Sequence, residues 1–453
     1  MTQASGLTAP KAPWSANTDR RAPLRDALKR SGQFGPEQTA GRFYPIGCVA
    51  LEVTQRCNLD CSLCYLSDTA EMAHDVPLPI LLRRIDQISR HYGPATSIQI
   101  TGGDPTLRKA ADLSALCRHI RARGMRSCLM TNGIKATRNL LKYLAAAGLD
   151  DVAFHVDTTQ ERKGYPKETA LNAVRKEYLS RARGLGLRIM FNTTVFEGNF
   201  RELPDLARFF RVHSRDITVI SFQLQADTGR GVLRERPESV TQESVMDALS
   251  AGMGLPLDFE TAAIGHYGCN RYASILTAGA AGEEVASAFG DRRTFQDLLA
   301  GLEDHEQNHE PYLDKGRTLR RLALHRPRLT IRAAGEALKL AWKLRRGLWS
   351  GRGRINRMGV LVHNFMAADR LETDRCESCV FMVATEHGPL SMCVHNAERD
   401  LHVNAPARLE TPNGLRWWHA GTGEASREPR PVQVGPMPLK RMKGRLRRAA
   451  SDM

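Results

Sequence analysis

The chain has 453 residues, too many for one minimal core, so it reads as one large domain with additions or as two to three domains. Its 65 Lys and Arg against 49 Asp and Glu leave a net charge of +16, which suits a polyanion or an anionic membrane surface as partner. No apolar run reaches the roughly 18 residues that cross a bilayer, Met1 to Ala40 lacks the apolar centre of a signal peptide, and ten cysteines are too sparse for a disulfide scaffold; a cytosolic protein with metal-binding or redox cysteines is expected.

Residues 1–44 form a polar extension rich in Pro and Arg, with no readable chemistry. From 45 to 229, short apolar runs alternate with amphipathic stretches, the pattern of strand–helix units with parallel strands. The spacing predicts strands at Ile46–Thr54, Ser97–Thr101, Arg126–Thr131, Asp151–Asp157, Arg188–Val195 and Ile217–Gln225. Helices are expected near Leu78–His91, Ala110–Arg123, Thr137–Ala147, Glu168–Gly184 and Leu203–His213, several of them stopped by a Gly. The expected fold class is α/β, a six-stranded partial barrel with helices outside. Cys48, Cys117 and Cys128 fall inside apolar stretches and read as small buried hydrophobes.

Ligands of α/β barrels sit at the carboxyl ends of the strands, and the polar residues follow that rule. Cys57, Cys61 and Cys64 follow the first strand, Gly102-Gly103-Asp104 the second and Thr131-Asn132-Gly133 the third; Asp157, Asn192, and Gln223 with Gln225 end the next three. A structural zinc site wants four ligands, whereas the C-x3-C-x2-C loop offers three, and its nearest histidine, His74, is ten residues on. Three cysteines on a four-iron cluster, normally held by four, leave one iron open for a small molecule.

Cys57, Cys61 and Cys64 followed by aromatic Tyr65, on the loop after the first strand, resemble the radical S-adenosylmethionine superfamily over about Pro45 to Gly229. The resemblance implies a (β/α)6 partial barrel, a [4Fe–4S] cluster on the three cysteines, and S-adenosylmethionine chelating the open iron through its amino and carboxylate groups. It further implies that Gly102, Gly103 and Asp104 approach the methionyl amino group, with Asp where the family usually has Glu, and that Thr131 and Asn132 meet the ribose or the carboxylate. By the same resemblance Tyr65 packs beside the adenine, and Asp157 and Asn192 are cofactor-binding candidates by strand position.

Residues 230–368 are expected to form an insertion, mainly helical, and 369–408 a second cysteine region. Cys376, Cys379 and Cys393 again fall one short of four, and Cys269 is the natural fourth ligand, so an auxiliary [4Fe–4S] cluster and a structural zinc site both fit. Ser221-Phe222-Gln223, Thr228-Gly229-Arg230, His266-Tyr267-Gly268-Cys269 and the Glu386-His387-Gly388-Pro389 turn are similar to the branch of the superfamily that contains tetraether-lipid synthases and pterin-modifying methylases. Between Lys315 and Arg357 stand fourteen Lys or Arg and one acid, Glu336. Arg332, Glu336, Lys339, Lys343 and Arg346 share one helix face, and Ile331, Leu338, Leu340, Trp342, Leu344 and Leu348, with Trp349 close by, fill much of the remainder. Such a stripe reads as a helix lying in a membrane interface, or as a surface helix with a solvated basic face. Residues 409–453 are expected to be a basic tail, with six more basic residues between Leu439 and Arg448, and Trp417-Trp418-His419 to be a hydrophobic plug or a lid.

The leading expectation is an enzyme that splits S-adenosylmethionine and activates a C–H bond, the substrate a lipid or other hydrophobic molecule met at the inner membrane face and the electron donor a flavodoxin or ferredoxin. Peptide maturation and pterin or tRNA modification are the enzyme alternatives, and a redox-sensing iron–sulfur protein the non-enzymatic one. Nucleic acid is disfavoured as a partner, since no aromatic-rich strand pair or compact binding module is present.

Overall fold

The structure is a computed structural model that describes residues 13–14, 19–67, 70–229, 236–303, 320, 323–351 and 353–432. Arg230, parts of the basic segment (315–319, 321–322 and 352), most of the first eighteen residues and the tail from Leu439 to Arg448 lie outside the described residues.

The chain opens with α1 (Ala22–Arg30) and then alternates: β1 (Cys48–Thr54), α2 (Leu78–Tyr92), β2 (Ser97–Gly102), α3 (Ala110–Ala122), β3 (Arg126–Thr131), α4 (Arg138–Ala146), β4 (Asp151–His155), α5 (Asn172–Ala182), β5 (Arg188–Val195), the short α6 (Glu197–Phe200), α7 (Leu203–Val212) and β6 (Ile217–Leu224). β1 is buried along its whole length, as a strand covered on both faces must be. Each helix turns one apolar face to the sheet. In α2 that face is Leu81, Ile85, Ile88 and Tyr92, each fully buried side chain contributing about 2 kcal/mol.

The second half enlarges this barrel. After α8 (Gln242–Met253) come β7 (Asn270–Ala278), β8 (Glu284–Ser287), α9 (Arg292–Glu303), α10 (Pro327–Lys343), α11 (Arg345–Ser350), β9 (Ile355–Asn364), α12 (Thr373–Glu377), β10 (Phe381–Ala384), β11 (Pro389–Ser391), α13 (Met392–Ala397) and α14 (Arg399–Val403). The main sheet has eleven strands in the order β11-β10-β1-β2-β3-β4-β5-β6-β9-β7-β8. β10 runs parallel to β1, and β9 parallel to β6, while β7 is antiparallel to β9. Among the described residues of 230–368, α8 to α11 hold more of the chain than the strands do, and β7, β8 and β9 continue the sheet. The sheet curls enough for its two flanks to meet, since the Phe381 ring of β10 stands edge-on to the His363 ring of β9 at 4.9 Å and both line one cavity.

The amino-terminal extension is built into the fold from residue 19, with Leu24 and Leu28 of α1 buried against Val380 and the Gln38 amide bonded to the backbone of Gly265. Part of the expected tail is a small sheet of β12 (Ala407–Thr411), β13 (Gly414–Trp418) and β14 (Ala425–Ser426). Its Trp418 packs with Ile80 of α2, Ala73, Ala407 and Ala420, away from the cavity, as a plug. No helix among the described residues is long and apolar enough to cross a membrane.

Candidate active site

A cavity of about 290 Å³ opens at the carboxyl ends of the barrel strands, and Cys57, Cys61 and Cys64 all line it. Tyr65, Gly102, Gly103, Thr131, Asn132 and Asn192 line it as well, as do Gln223 and Gln225. The deeper wall is mostly apolar, made by Ala50, Met130, Ala153, Met190, Val219 and Leu361, with Gln99 of β2 beside Ala50.

The two glycines after β2 are required by sterics. A Cβ on Gly102, whose φ is +127°, would stand 2.0 Å from the Thr54 carbonyl oxygen, and one on Gly103 2.1 Å from that of Arg56. Their backbones are thereby pressed against the start of the cysteine loop, and the Gly103 and Asp104 amides donate to those same two oxygens at 2.8 Å. Gly229 closes against the loop from the other side, where a Cβ would fall 2.4 Å from the Tyr65 carbonyl.

Asp104 and Asp157 do not reach the cavity. Asp104 is wholly buried and accepts from the Thr106 amide (2.9 Å), the Thr106 hydroxyl (2.5 Å), the Thr131 hydroxyl (2.9 Å) and the Asn132 amide (2.9 Å), so it ties the loop after β2 to the end of β3. Asp157 lies beyond the end of β4, also wholly buried, bonded to the Thr159 amide and hydroxyl, the Thr194 amide and His155 Nε2 (2.6 Å). The residue β4 presents to the cavity is His155. Burial works against its charged form, but Asp157 overrides this and raises its pKa; burial likewise opposes ionisation of Asp157, whose carboxyl His155 and its other donors hold down. Pairing places His155, Asn192 and Ser221 side by side on β4, β5 and β6, a polar row above the apolar wall. The Ser221 hydroxyl is buried without a hydrogen-bond partner. Across the lumen His363, kept neutral by burial with its pKa pushed down to about 4, donates from Nδ1 to Asn270 Oδ1 at 2.7 Å.

Tyr65 is fixed rather than free to follow a ligand: its hydroxyl donates to Gly102 O at 2.6 Å and the Arg399 guanidinium lies 4.6 Å over its ring. Arg399 also binds Glu52 Oε1 at 2.6 Å. Burial would raise the Glu52 carboxyl, but Arg399, with His395 and Gln55, brings it down to about 2. With Ser67 Oγ donating to Asp400 Oδ1 at 2.5 Å, α13 and α14 cap the cysteine loop.

The thiol of Cys61 is pushed well up by burial and then by Cys64, Asp157 and Cys57. Three half-buried cysteines on one wall, beside glycine backbones that admit no side chain, suit a metal cluster whose positive irons would hold them as thiolates. Asn132 Nδ2 stands 3.8 Å from Cys57 Sγ and 2.7 Å from Asn58 Oδ1, holding that end of the loop.

The second cysteine group also assembles. Cys269 precedes β7, Cys376 lies in α12, Cys379 precedes β10 and Cys393 lies in α13, and all four thiols are raised by burial and by one another's charge. Arg375 Nε donates to Cys269 Sγ at 3.2 Å. Among the described residues no three His, Cys, Asp or Glu side chains converge on a point the size of one ion; a cluster tolerates that spread, because its cysteines bind different irons. Cys48, Cys117 and Cys128 are buried elsewhere.

Residues 51–210 match the Radical SAM superfamily model. An Fe-coproporphyrin III synthase of Methanosarcina barkeri is 28% identical over 190 residues, covering 40% of this chain and 45% of the relative. A 7,8-dihydro-6-hydroxymethylpterin dimethyltransferase of Methanocaldococcus jannaschii is 28% identical over 187 residues, covering 40% of this chain and 36% of the relative. Among solved structures, Streptococcus suis SuiB bound to S-adenosylmethionine matches with a TM-score of 0.38 and 14% identity, over 46% of this chain and 48% of that one. The chain carries a radical SAM domain, the catalytic domain of a superfamily of enzymes whose cofactors are a [4Fe–4S] cluster and S-adenosylmethionine. The matches span less than half the length of these relatives.

Proposed function

We propose that this chain reductively cleaves S-adenosylmethionine and removes a hydrogen atom from an unreactive C–H bond of a lipid or other hydrophobic substrate held in the barrel lumen. The observation that carries the reading is one cavity with three thiols at its mouth and an apolar wall at its depth. A cluster held by Cys57, Cys61 and Cys64 would supply the electron for cleavage of S-adenosylmethionine, and the bound cofactors together would supply the hydrogen-atom acceptor.

The chain's own residues do the rest. Cys57, Cys61 and Cys64 hold the cluster, and the Gly102–Gly103 edge offers backbone to the methionyl group. Thr131, Asn132 and Asn192 face the same ligand space, with Asp104 positioning Thr131 and Asn132, and Asp157 bonded to His155 and the Thr194 amide. Tyr65, Arg399 and α13–α14 keep water from the loop. Ala50, Met130, Ala153, Met190, Val219 and Leu361 take the apolar part of the substrate. A flavodoxin or ferredoxin donates the electron, and the protein works at an anionic membrane surface. An auxiliary [4Fe–4S] cluster occupies Cys269, Cys376, Cys379 and Cys393.

A second reading, modification of a flat heterocyclic cofactor, is favoured by the polar row His155–Asn192–Ser221, which suits ring heteroatoms, and by the porphyrin- and pterin-acting relatives. The first test is formation of 5'-deoxyadenosine by anaerobically reconstituted, dithionite-reduced protein, with its loss in Cys61→Ala. Whole-cell lipids compared with and without the protein then separate the readings: an altered profile supports the first, and an unaltered one removes it.

A further inference from the structure

α10 and α11 are apolar on two opposite sides. Leu329, Leu340, Leu344 and Leu348 turn inward, Leu329 and Leu344 fully buried and the other two packed beside Ala278 and Ala286. Ile331, Leu338, Trp342 and Trp349 turn outward at spacings of seven, four and seven residues, which brings them onto one face across the single residue between the helices. They are 71%, 72%, 69% and 92% exposed. A monomer seldom leaves such a stripe in water.

What borders the stripe identifies what covers it. Arg328, Arg332, Lys339, Lys343 and Arg346 are all exposed along the same helices. Arg332 and Lys339 are ion-paired with Asp297 and Glu336, whereas Arg328, Lys343 and Arg346 make no ion pair among the described residues. Arg345 stacks on the Trp342 ring at 4.3 Å, holding a cation at the edge of the indole. Two Trp and two aliphatic side chains edged by unpaired cations match an acyl layer below anionic headgroups; they do not match a second copy of this chain, which brings the same charges to itself.

We propose that the outward face of α10 and α11 docks on an anionic lipid bilayer, with Ile331, Leu338, Trp342 and Trp349 entering the acyl boundary and Arg328, Lys343 and Arg346 meeting the headgroups. The inference goes beyond the chemistry proposed above and is measured independently of it. Full-length protein is floated with phosphatidylcholine vesicles lacking or containing phosphatidylglycerol, while its tryptophan emission is followed. Flotation that needs phosphatidylglycerol, weakens with salt and comes with a blue shift is the expected result. Trp342→Ser with Trp349→Ser should abolish both signals, and changing Arg328, Lys343 and Arg346 to Gln should lower partitioning about fivefold for each charge removed. All these residues are exposed, so each variant should keep the wild-type yield of 5'-deoxyadenosine. Absence of flotation on either vesicle, undiminished flotation of the Trp variant, or a dimer that the Trp variant dissociates would each overturn the proposal. If wild type forms no 5'-deoxyadenosine yet floats as described, the chemistry fails and the docking surface stands.

Discussion

Asp104 shows how far one side chain can organise a site it never touches. Its carboxylate takes hydrogen bonds from Thr106, Thr131 and the Asn132 amide inside the protein, so Asp104→Ala strands buried donors and should cost about 2–4 kcal/mol of apoprotein stability in urea titrations, with weaker S-adenosylmethionine binding. Asp104→Glu, although Glu is the residue usual in the family, should also destabilise, by about 1–3 kcal/mol, because the site is full. The sequence pointed to Asp104 and Asp157 as cavity residues because each follows a strand. A subtler signal was present: both have Thr two positions on, and both cap a short 3-10 turn, Pro105–Leu107 and Thr158–Gln160. Capping turns the carboxylate back into the chain, and the strand phase then gives the cavity to His155. His363 carries a pH prediction of its own. Its pKa is about 4 in the fold against about 6.5 in an unfolded chain, so between these values the unfolded state binds the extra proton and stability rises with pH. Equilibrium unfolding of the apoprotein between pH 4 and 6.5 should show that slope, and His363→Gln should flatten it.

Among the elements, α13 and α14 act furthest from their place in the chain. Arg399 is the cation that keeps Glu52 ionised inside the barrel mouth, and removing it leaves a buried carboxylate without compensation. Arg399→Met should therefore cost about 3–5 kcal/mol, and the loosened Tyr65 should let the reconstituted protein lose iron to a chelator faster than wild type. Neither effect was legible in the sequence, since nothing local links position 52 to 399. The basic helix was legible in part. Its apolar residues were visible, but their division into an inward Leu set and an outward Ile, Leu and Trp set depends on where α9 and β8 lie, which the helical period alone does not give.

At the scale of the whole molecule, the six central strands were legible because each pairs with a neighbour one strand–helix unit away. β7, β9 and β10 were not, because their partners are distant in sequence: β10 lies on β1, and β9 on β6 across the intervening segment. The same distance hid how Cys269 would meet Cys376, Cys379 and Cys393, although their number suggested it. If that group holds a cluster, reconstituted protein should carry about eight irons per chain and Cys379→Ala about four, with zinc absent from both; one zinc beside about four irons would reject the assignment. The contacts of Arg399 with Glu52 and of Asp400 with Ser67 also impose an order on biosynthesis. Residues 392–403 leave the ribosome late, Arg399 some 347 positions after the Glu52 that it binds. Until then the loop of Cys57, Cys61 and Cys64 lacks its cover, which gives an iron-delivery machinery an interval during synthesis that the finished chain closes.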